Sequence, residues 1–187
     1  SGEFRGRSIT PPPGQATRPM LDRVREALFS TIAAYVPDAR VLDLFSGTGS
    51  LGLEALSRGA ASAHFVEKDR KALAVLRKNI SDFDLEERTS VWQGDALSSN
   101  SWGEPPVDVV FLDPPYPMVN GGRERRLIFQ AVEELANDFL VPGGVLMLHA
   151  HPRGASERDF PEGFEFDRRV YNNSALFYLW KSGEGGA

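Results

Sequence analysis

Two hydrophobic periods alternate along this chain. Short apolar runs that leave no polar face read as strands covered on both sides, and apolar residues recurring at spacings of three and four read as helices with one buried stripe. The strands predicted are Val41–Phe45, Ala61–Val66, Thr89–Gln93, Val107–Leu112 and a run introduced by Gly143-Gly144 that passes through Met147 to about Ala150. Between them, Thr17 is placed to cap a helix entered through Pro19, with Leu21, Val24, Leu28, Ile32 and Tyr35 on its stripe and Pro37 at its end. Further helices are expected up to about Ser57, where Gly59 stops the chain, over Asp69–Ile80, and over Glu124–Phe139. Phe4–Thr10 reads as a short strand or arm broken by Pro11-Pro12-Pro13-Gly14. Two last strands, Phe164–Tyr171 and Ala175–Lys181, flank Asn172-Asn173, a hairpin turn signal.

This alternation predicts an α/β, Rossmann-like fold. Seven strands form a mostly parallel, doubly wound sheet with helices on both faces, and the C-terminal hairpin supplies an antiparallel strand at one edge. The 187 residues suit one domain over 1–181, divided into an arm and helix (1–36) and a core (37–181), with a flexible tail at 182–187.

Composition narrows the chemistry. The chain has no cysteine, which excludes disulfides, thiolate metal sites and cysteine nucleophiles. No run approaches the roughly 18 apolar residues of a membrane span, and the first seven residues lack a signal-peptide core. A soluble, cytoplasmic, monomeric protein is the expectation. The net charge of −5 argues against coating nucleic acid by charge alone. That total hides a split. Arg5, Arg7, Arg18, Arg23 and Arg25 against Glu3, Asp22 and Glu26 leave +2 in the first 26 residues and −7 in the remaining 161. Arg5, Arg7, Arg18 and Arg23 are therefore candidate phosphate contacts, since the guanidinium fork donates two hydrogen bonds at once. The competing reading makes Asp22–Arg25 and Arg23–Glu26 ordinary surface pairs.

Gly47-Thr48-Gly49-Ser50-Leu51-Gly52 fits GxGxxG between a strand and a helix, where glycines let the backbone approach a ligand and the helix start presents free N–H groups. The acids around it select the ligand. Glu67 ends the second strand, where a carboxylate can take both ribose hydroxyls of an adenosyl group. Asp43 ends the first strand; it would repel a pyrophosphate and attract a sulfonium and an amino group. Asp95 follows the third strand and is placed either to accept from an adenine amine or to close an Asx turn. Three carboxylates at consecutive strand ends suit S-adenosylmethionine better than a dinucleotide. The candidate cofactor set is Asp43, Phe45, Gly47, Thr48, Gly49, Glu67, Lys68, Asp95, Ala96 and Asp113.

Asp113-Pro114-Pro115-Tyr116 follows the fourth strand directly. As a bare turn it would mean little. Chemically it suits an exocyclic base amine, a poor nucleophile because its lone pair is delocalised. The Asp113 carboxylate and Pro114 carbonyl would hold the two amine hydrogens, aim the lone pair and stabilise the charge growing on nitrogen. Pro115 stiffens the turn, and Tyr116 is placed to stack on an extruded base.

With Asp43-Leu-Phe-Ser-Gly-Thr-Gly49, this tetrad resembles the class I, S-adenosylmethionine-dependent amino-methyltransferases acting on nucleic acids. Phe4-Arg-Gly-Arg7 and Thr17-Arg-Pro-Met-Leu-Asp-Arg-Val-Arg-Glu-Ala-Leu-Phe29 narrow the resemblance to the bacterial 16S rRNA guanine-N2 methyltransferase family, small-subunit methyltransferase D. The resemblance implies methyl transfer to the N2 amine of one guanine in small-subunit rRNA, within a ribosomal subunit or assembly intermediate. Two alternatives share parts of the pattern. A DNA adenine or cytosine amino-methyltransferase has the tetrad but usually a separate target-recognition region, and an NAD-binding oxidoreductase shares only the glycine loop. Residues 117–123 read as a lid candidate. His149 and His151 alternate on one strand face without a third ligand, so no metal is expected. His64, Trp92, Trp102 and Trp180 read as structural.

Overall fold

Cover on both faces turns the apolar runs into strands. In the computed structural model, which describes residues 20–183, these are β1 (Arg40–Leu44), β2 (Ser62–Glu67), β3 (Thr89–Gln93), β4 (Val107–Leu112), β5 (Leu140–Ala150), β6 (Glu165–Tyr171) and β7 (Ser174–Trp180). They form one sheet in the order β3-β2-β1-β4-β5-β7-β6. The first five are parallel, and β7 runs antiparallel to both β5 and β6. The antiparallel strand is therefore one place in from the edge, and not at the edge as expected. The hairpin through Asn172 forces β6 and β7 together, and apolar content decides which lies inside. Ala175–Leu179 of β7 are buried, whereas β6 has no buried residue.

Alternate strand residues feed two cores. Val41, Phe65, Phe111 and Met147 pack under α1 (Asp22–Thr31), α2 (Ser50–Ser57) and α3 (Arg70–Asp82). Leu44, Val110, Leu112 and Leu148 pack under α5 (Gly122–Glu134), which follows a one-turn helix, α4 (Tyr116–Val119). Helices thus cover both faces.

Several boundaries depart from expectation. α1 starts at Asp22 behind Leu21, which makes no side-chain cap, and Thr17 and Pro19 lie outside the described residues. Val24, Leu28 and Ile32 are buried; Leu21, ahead of the helix, is 65% exposed, and Tyr35 is exposed because the helix stops at Thr31 and the tighter turn Ala33–Tyr35 rotates the stripe. The helix expected over Glu124–Phe139 begins two residues earlier as α5 and closes with a π turn over Leu135–Phe139, whose end is held by Lys181 Nζ donating to the carbonyls of Ala136, Asn137 and Leu140, while the separate turn α4 was not expected. Gly143-Gly144 lies inside β5, where a Cβ on Gly144 would stand 2.8 Å from the Asp108 carbonyl. Trp102 is buried and Trp180 stacks on Tyr178, but Trp92 is 51% exposed on the edge strand β3. His64 is structural, bonded to Ser90 Oγ and to the Ser101 carbonyl.

The chain returns from the edge strand β3 across the sheet to β4, so β1 and β4 are neighbours whose connections leave in opposite directions. Such a switch point, at the carboxyl ends of the strands, is where open α/β sheets bind ligands. Among the described residues, no helix is long and apolar enough to cross a membrane.

Candidate active site

The loop leaving β1 turns through three residues in the left-handed region, Phe45 (φ 60°), Gly47 (φ 55°) and Gly49 (φ 85°). Two glycines are explained by what surrounds them. A Cβ on Gly49 would lie 2.4 Å from Leu76, and one on Gly52 would lie 2.3 Å from the Phe65 ring. A Cβ on Gly47 would meet nothing within 4 Å, so this turn faces open space. Ser46 Oγ, buried in the same loop, has no hydrogen-bond partner among the described residues.

Backbone amides hold the acids of this rim. Gly52 N–H donates to Asp43 Oδ2 at 2.9 Å, tying the end of β1 to the first turn of α2. Glu67 gathers three donors, Gly47 N at 2.9 Å on one oxygen and Lys68 N and Asp69 N at 2.9 and 2.8 Å on the other. Asp95 Oδ1 accepts from Leu97 N at 3.0 Å, an Asx turn, and Ala96 is buried with its carbonyl bound by Trp102 Nε1. Thr48 is buried, and its carbonyl accepts from Asn79 Nδ2. Burial pushes the Asp43 carboxyl up to about 8; the Gly52 bond opposes the shift, and the charges of Asp113 and Glu67 add to it. The concentrated negative potential suits a cationic ligand and opposes a polyanionic one.

The second rim is built from side chains. Asp113 follows β4, and its Oδ1 lies 2.7 Å from His149 Nδ1. His149, near the end of β5, is 3% exposed. Its Nε2 lies 2.7 Å from Ser174 Oγ and 3.0 Å from the Tyr116 hydroxyl, and those two oxygens are 2.6 Å apart. The Tyr116 ring meets the imidazole edge-on at 5.3 Å. Pro114 is buried and Pro115 exposed. Sequence reasoning set His149 aside, because its partners come from distant segments that only strand pairing brings together. The two most apolar runs pair in parallel with Leu112 opposite Leu148, which sets Asp113 beside His149.

Other candidates separate. Arg5, Arg7 and Arg18 lie outside the described residues. Arg23 is exposed on α1, and Arg25 pairs with Asp22 at 2.8 Å, the ordinary surface pair. Lys68 is exposed beside Glu67. Residues 117–123 are not one free lid, because Val119 is fully buried with Gly154 against it; the continuous exposed stretch is Asn120–Arg123, with Pro117 exposed on the other side of Val119. His151 accepts from Arg153 N, apart from the His149 cluster, and no group of three or more metal-binding side chains occurs among the described residues.

Similarity to known proteins agrees with this geometry. The chain is 42% identical over 115 residues to "Ribosomal RNA small subunit methyltransferase D" of Escherichia coli K12, and 32% identical over 169 residues to the protein of that name in Haemophilus influenzae. The latter match covers 86% of this chain and 79% of the relative. The E. coli match spans 62% of this chain and 58% of the relative; a Bacillus subtilis relative, provisionally named an rRNA methyltransferase, is matched over 65% of its length at 40% identity. Among solved structures, an E. coli protein provisionally described as a methyltransferase superposes with a TM-score of 0.81 at 31% identity, covering 98% of this chain and 97% of that one. A hypothetical protein of Thermus thermophilus gives 0.75 at 31% identity, covering 96% of each. The fold is that of the class I methyltransferases. The model of the family described as "Conserved hypothetical protein 95" matches residues 1–180, and the chain belongs to that family.

Proposed function

We propose that this chain transfers the methyl group of S-adenosylmethionine to the exocyclic N2 amine of a specific guanine in 16S (small-subunit) rRNA, within a ribosomal subunit or an assembly intermediate. The observation that carries the reading is the adjacency of two chemically different rims across the β1–β4 switch point. One is a set of carboxylates around an open glycine turn, and the other is the tethered carboxylate of Asp113-Pro-Pro-Tyr116. The names of the E. coli and H. influenzae relatives support rRNA as the acceptor.

The residues present fit the cofactor. Glu67 provides negative potential, Asp43 adds its charge once a cationic group favours its ionised form, Gly47 leaves room, and Ser46 Oγ is a buried hydroxyl in need of a partner. When bound, S-adenosylmethionine supplies an electrophilic methyl group on cationic sulfur. Asp113 and the Pro114 carbonyl accept the two amine hydrogens, aim the nitrogen lone pair and stabilise the positive charge that develops there. With the cofactor bound, the amine nitrogen held by Asp113 and Pro114 would gain the methyl group and give up one proton to solvent, so that the products would be N2-methylguanine and S-adenosylhomocysteine. The Tyr116 hydroxyl is bound inward, which leaves its ring to contact the base. Arg5, Arg7, Arg18 and Arg23 would hold the RNA backbone. The test is methyl transfer from labelled S-adenosylmethionine to small subunits lacking the modification, with the modified base mapped. Label at a guanine N2 supports the reading, and label on another base or none overturns it.

A further inference from the structure

We infer that His149 is a positioning residue for methyl transfer: donating from Nδ1 to Asp113 Oδ1, it locks the carboxylate so that Oδ2 faces the acceptor amine. Ser174 and Tyr116 in turn hold the imidazole in the tautomer this needs. The inference rests on the amino-methyltransferase reading above and assigns it a device outside the tetrad.

Three observations carry it. First, His149 is a buried polar residue at the end of an otherwise apolar strand, between Leu148 and Ala150, both fully buried. Such a group is costly unless its nitrogens are bonded. Secondly, its partners all belong to one rim: Asp113 at 2.7 Å on Nδ1, and Ser174 and Tyr116 at 2.7 and 3.0 Å on Nε2. Thirdly, the proton count is consistent. The Ser174 and Tyr116 hydroxyls offer two hydrogens for the Nε2 lone pair and for the 2.6 Å contact between them, so one can donate to Nε2 and the other to its neighbour. Nε2 is then the acceptor, and the ring hydrogen sits on Nδ1, facing the carboxylate.

The chemistry also explains an imidazole at this place. Asp113 must remain a full anion to stabilise charge growing on the amine nitrogen. A lysine or arginine partner would orient it but cancel the field the reaction needs. An imidazole donating from Nδ1 and accepting at Nε2 carries no net charge, so it fixes direction and leaves the carboxylate's charge intact. Without that bond the carboxylate can rotate and divide its acceptor strength between orientations.

The experiment is a substitution series assayed with labelled S-adenosylmethionine on small subunits lacking the modification. His149→Leu keeps volume and loses the donor, while His149→Asn places an amide N–H at the position of Nδ1. The leucine variant is expected to lower kcat about 10- to 100-fold with KM for subunits within about twofold, and the asparagine variant to recover kcat to within about threefold of wild type. Unchanged kcat in the leucine variant, or equal loss in both variants, overturns the inference. Nitrogen-15 NMR of the wild-type protein gives a second readout that needs no variant to fold. His149 protonated at Nδ1 and bare at Nε2 supports the inference, and the opposite tautomer overturns it. A wild type that methylates no subunit overturns the parent reading, an outcome distinct from an active wild type with unaffected variants.

Discussion

The two rims of the switch point hold their carboxylates by different means. On the β1–β2–β3 side, Asp43, Glu67 and Asp95 are bound by backbone amides of the turns around them. On the β4–β5–β7 side, Asp113 is bound by an imidazole that is itself bound by two hydroxyls. An amide donor exists at any residue except proline, so the first rim depends on loop shape and hence on glycine. The second depends on side-chain identity, because no backbone group can replace the histidine. One rim is therefore vulnerable to added volume and the other to lost chemistry.

The sharpest way to separate the rims is Asp113→Ala. Methyl transfer should fall roughly 100- to 1000-fold, while calorimetric binding of S-adenosylmethionine stays close to wild type. An equal loss of binding would merge the two rims into one.

Next is the pH response of Asp43. Its carboxyl rises from an ordinary 3.8 to about 8, so across that window the folded protein keeps a proton that the unfolded chain has released. Stability should therefore decline as pH rises from about 4 to 8, and Asp43→Asn should flatten the slope in denaturant titrations. A cationic ligand favours the ionised form, so affinity for S-adenosylmethionine should increase with pH, by at most about tenfold per unit, and level off above 8. An affinity independent of pH would detach Asp43 from the ligand.

Gly52→Ala tests the reliance on volume. Its Cβ would press on Phe65, and a loss of about 1–3 kcal/mol is expected in chemical denaturation. Unchanged stability would mean that the Phe65 ring yields easily. The smallest effect belongs to Glu67→Gln, which keeps the acceptor geometry of one oxygen and loses charge. Affinity for S-adenosylmethionine should fall about fivefold, with methyl transfer at saturating cofactor preserved.

How much of this was legible follows from distance along the chain. Asp43 and Gly52 are nine positions apart, and Glu67 binds the next two amides, so motif spacing alone places those acids in their turns. The tetrad is likewise one contiguous segment. His149 lies 36 positions from Asp113, and Ser174 lies 58 from Tyr116, separations across which no local pattern reports a contact. Asp95 shows the limit within a motif: position brought it to the rim, yet its carboxylate also closes a local turn. The strand order at the β7 end followed the same rule. The hairpin was readable from Asn172-Asn173, but which arm entered the sheet depended on the apolar faces the rest of the molecule presented.

The amino-acid sequence by itself determined the alternation of strands and helices, the glycine turn and the identity of the acids at the strand ends. These depend on backbone preference and on hydrophobic period, which act over a few residues. Only the tertiary structure decided that β4 lies against β1, that β7 sits inside β6, and that Asp113 is gripped by His149. Those outcomes depend on pairing between distant segments, where burial of whole faces and register along the sheet choose the partners.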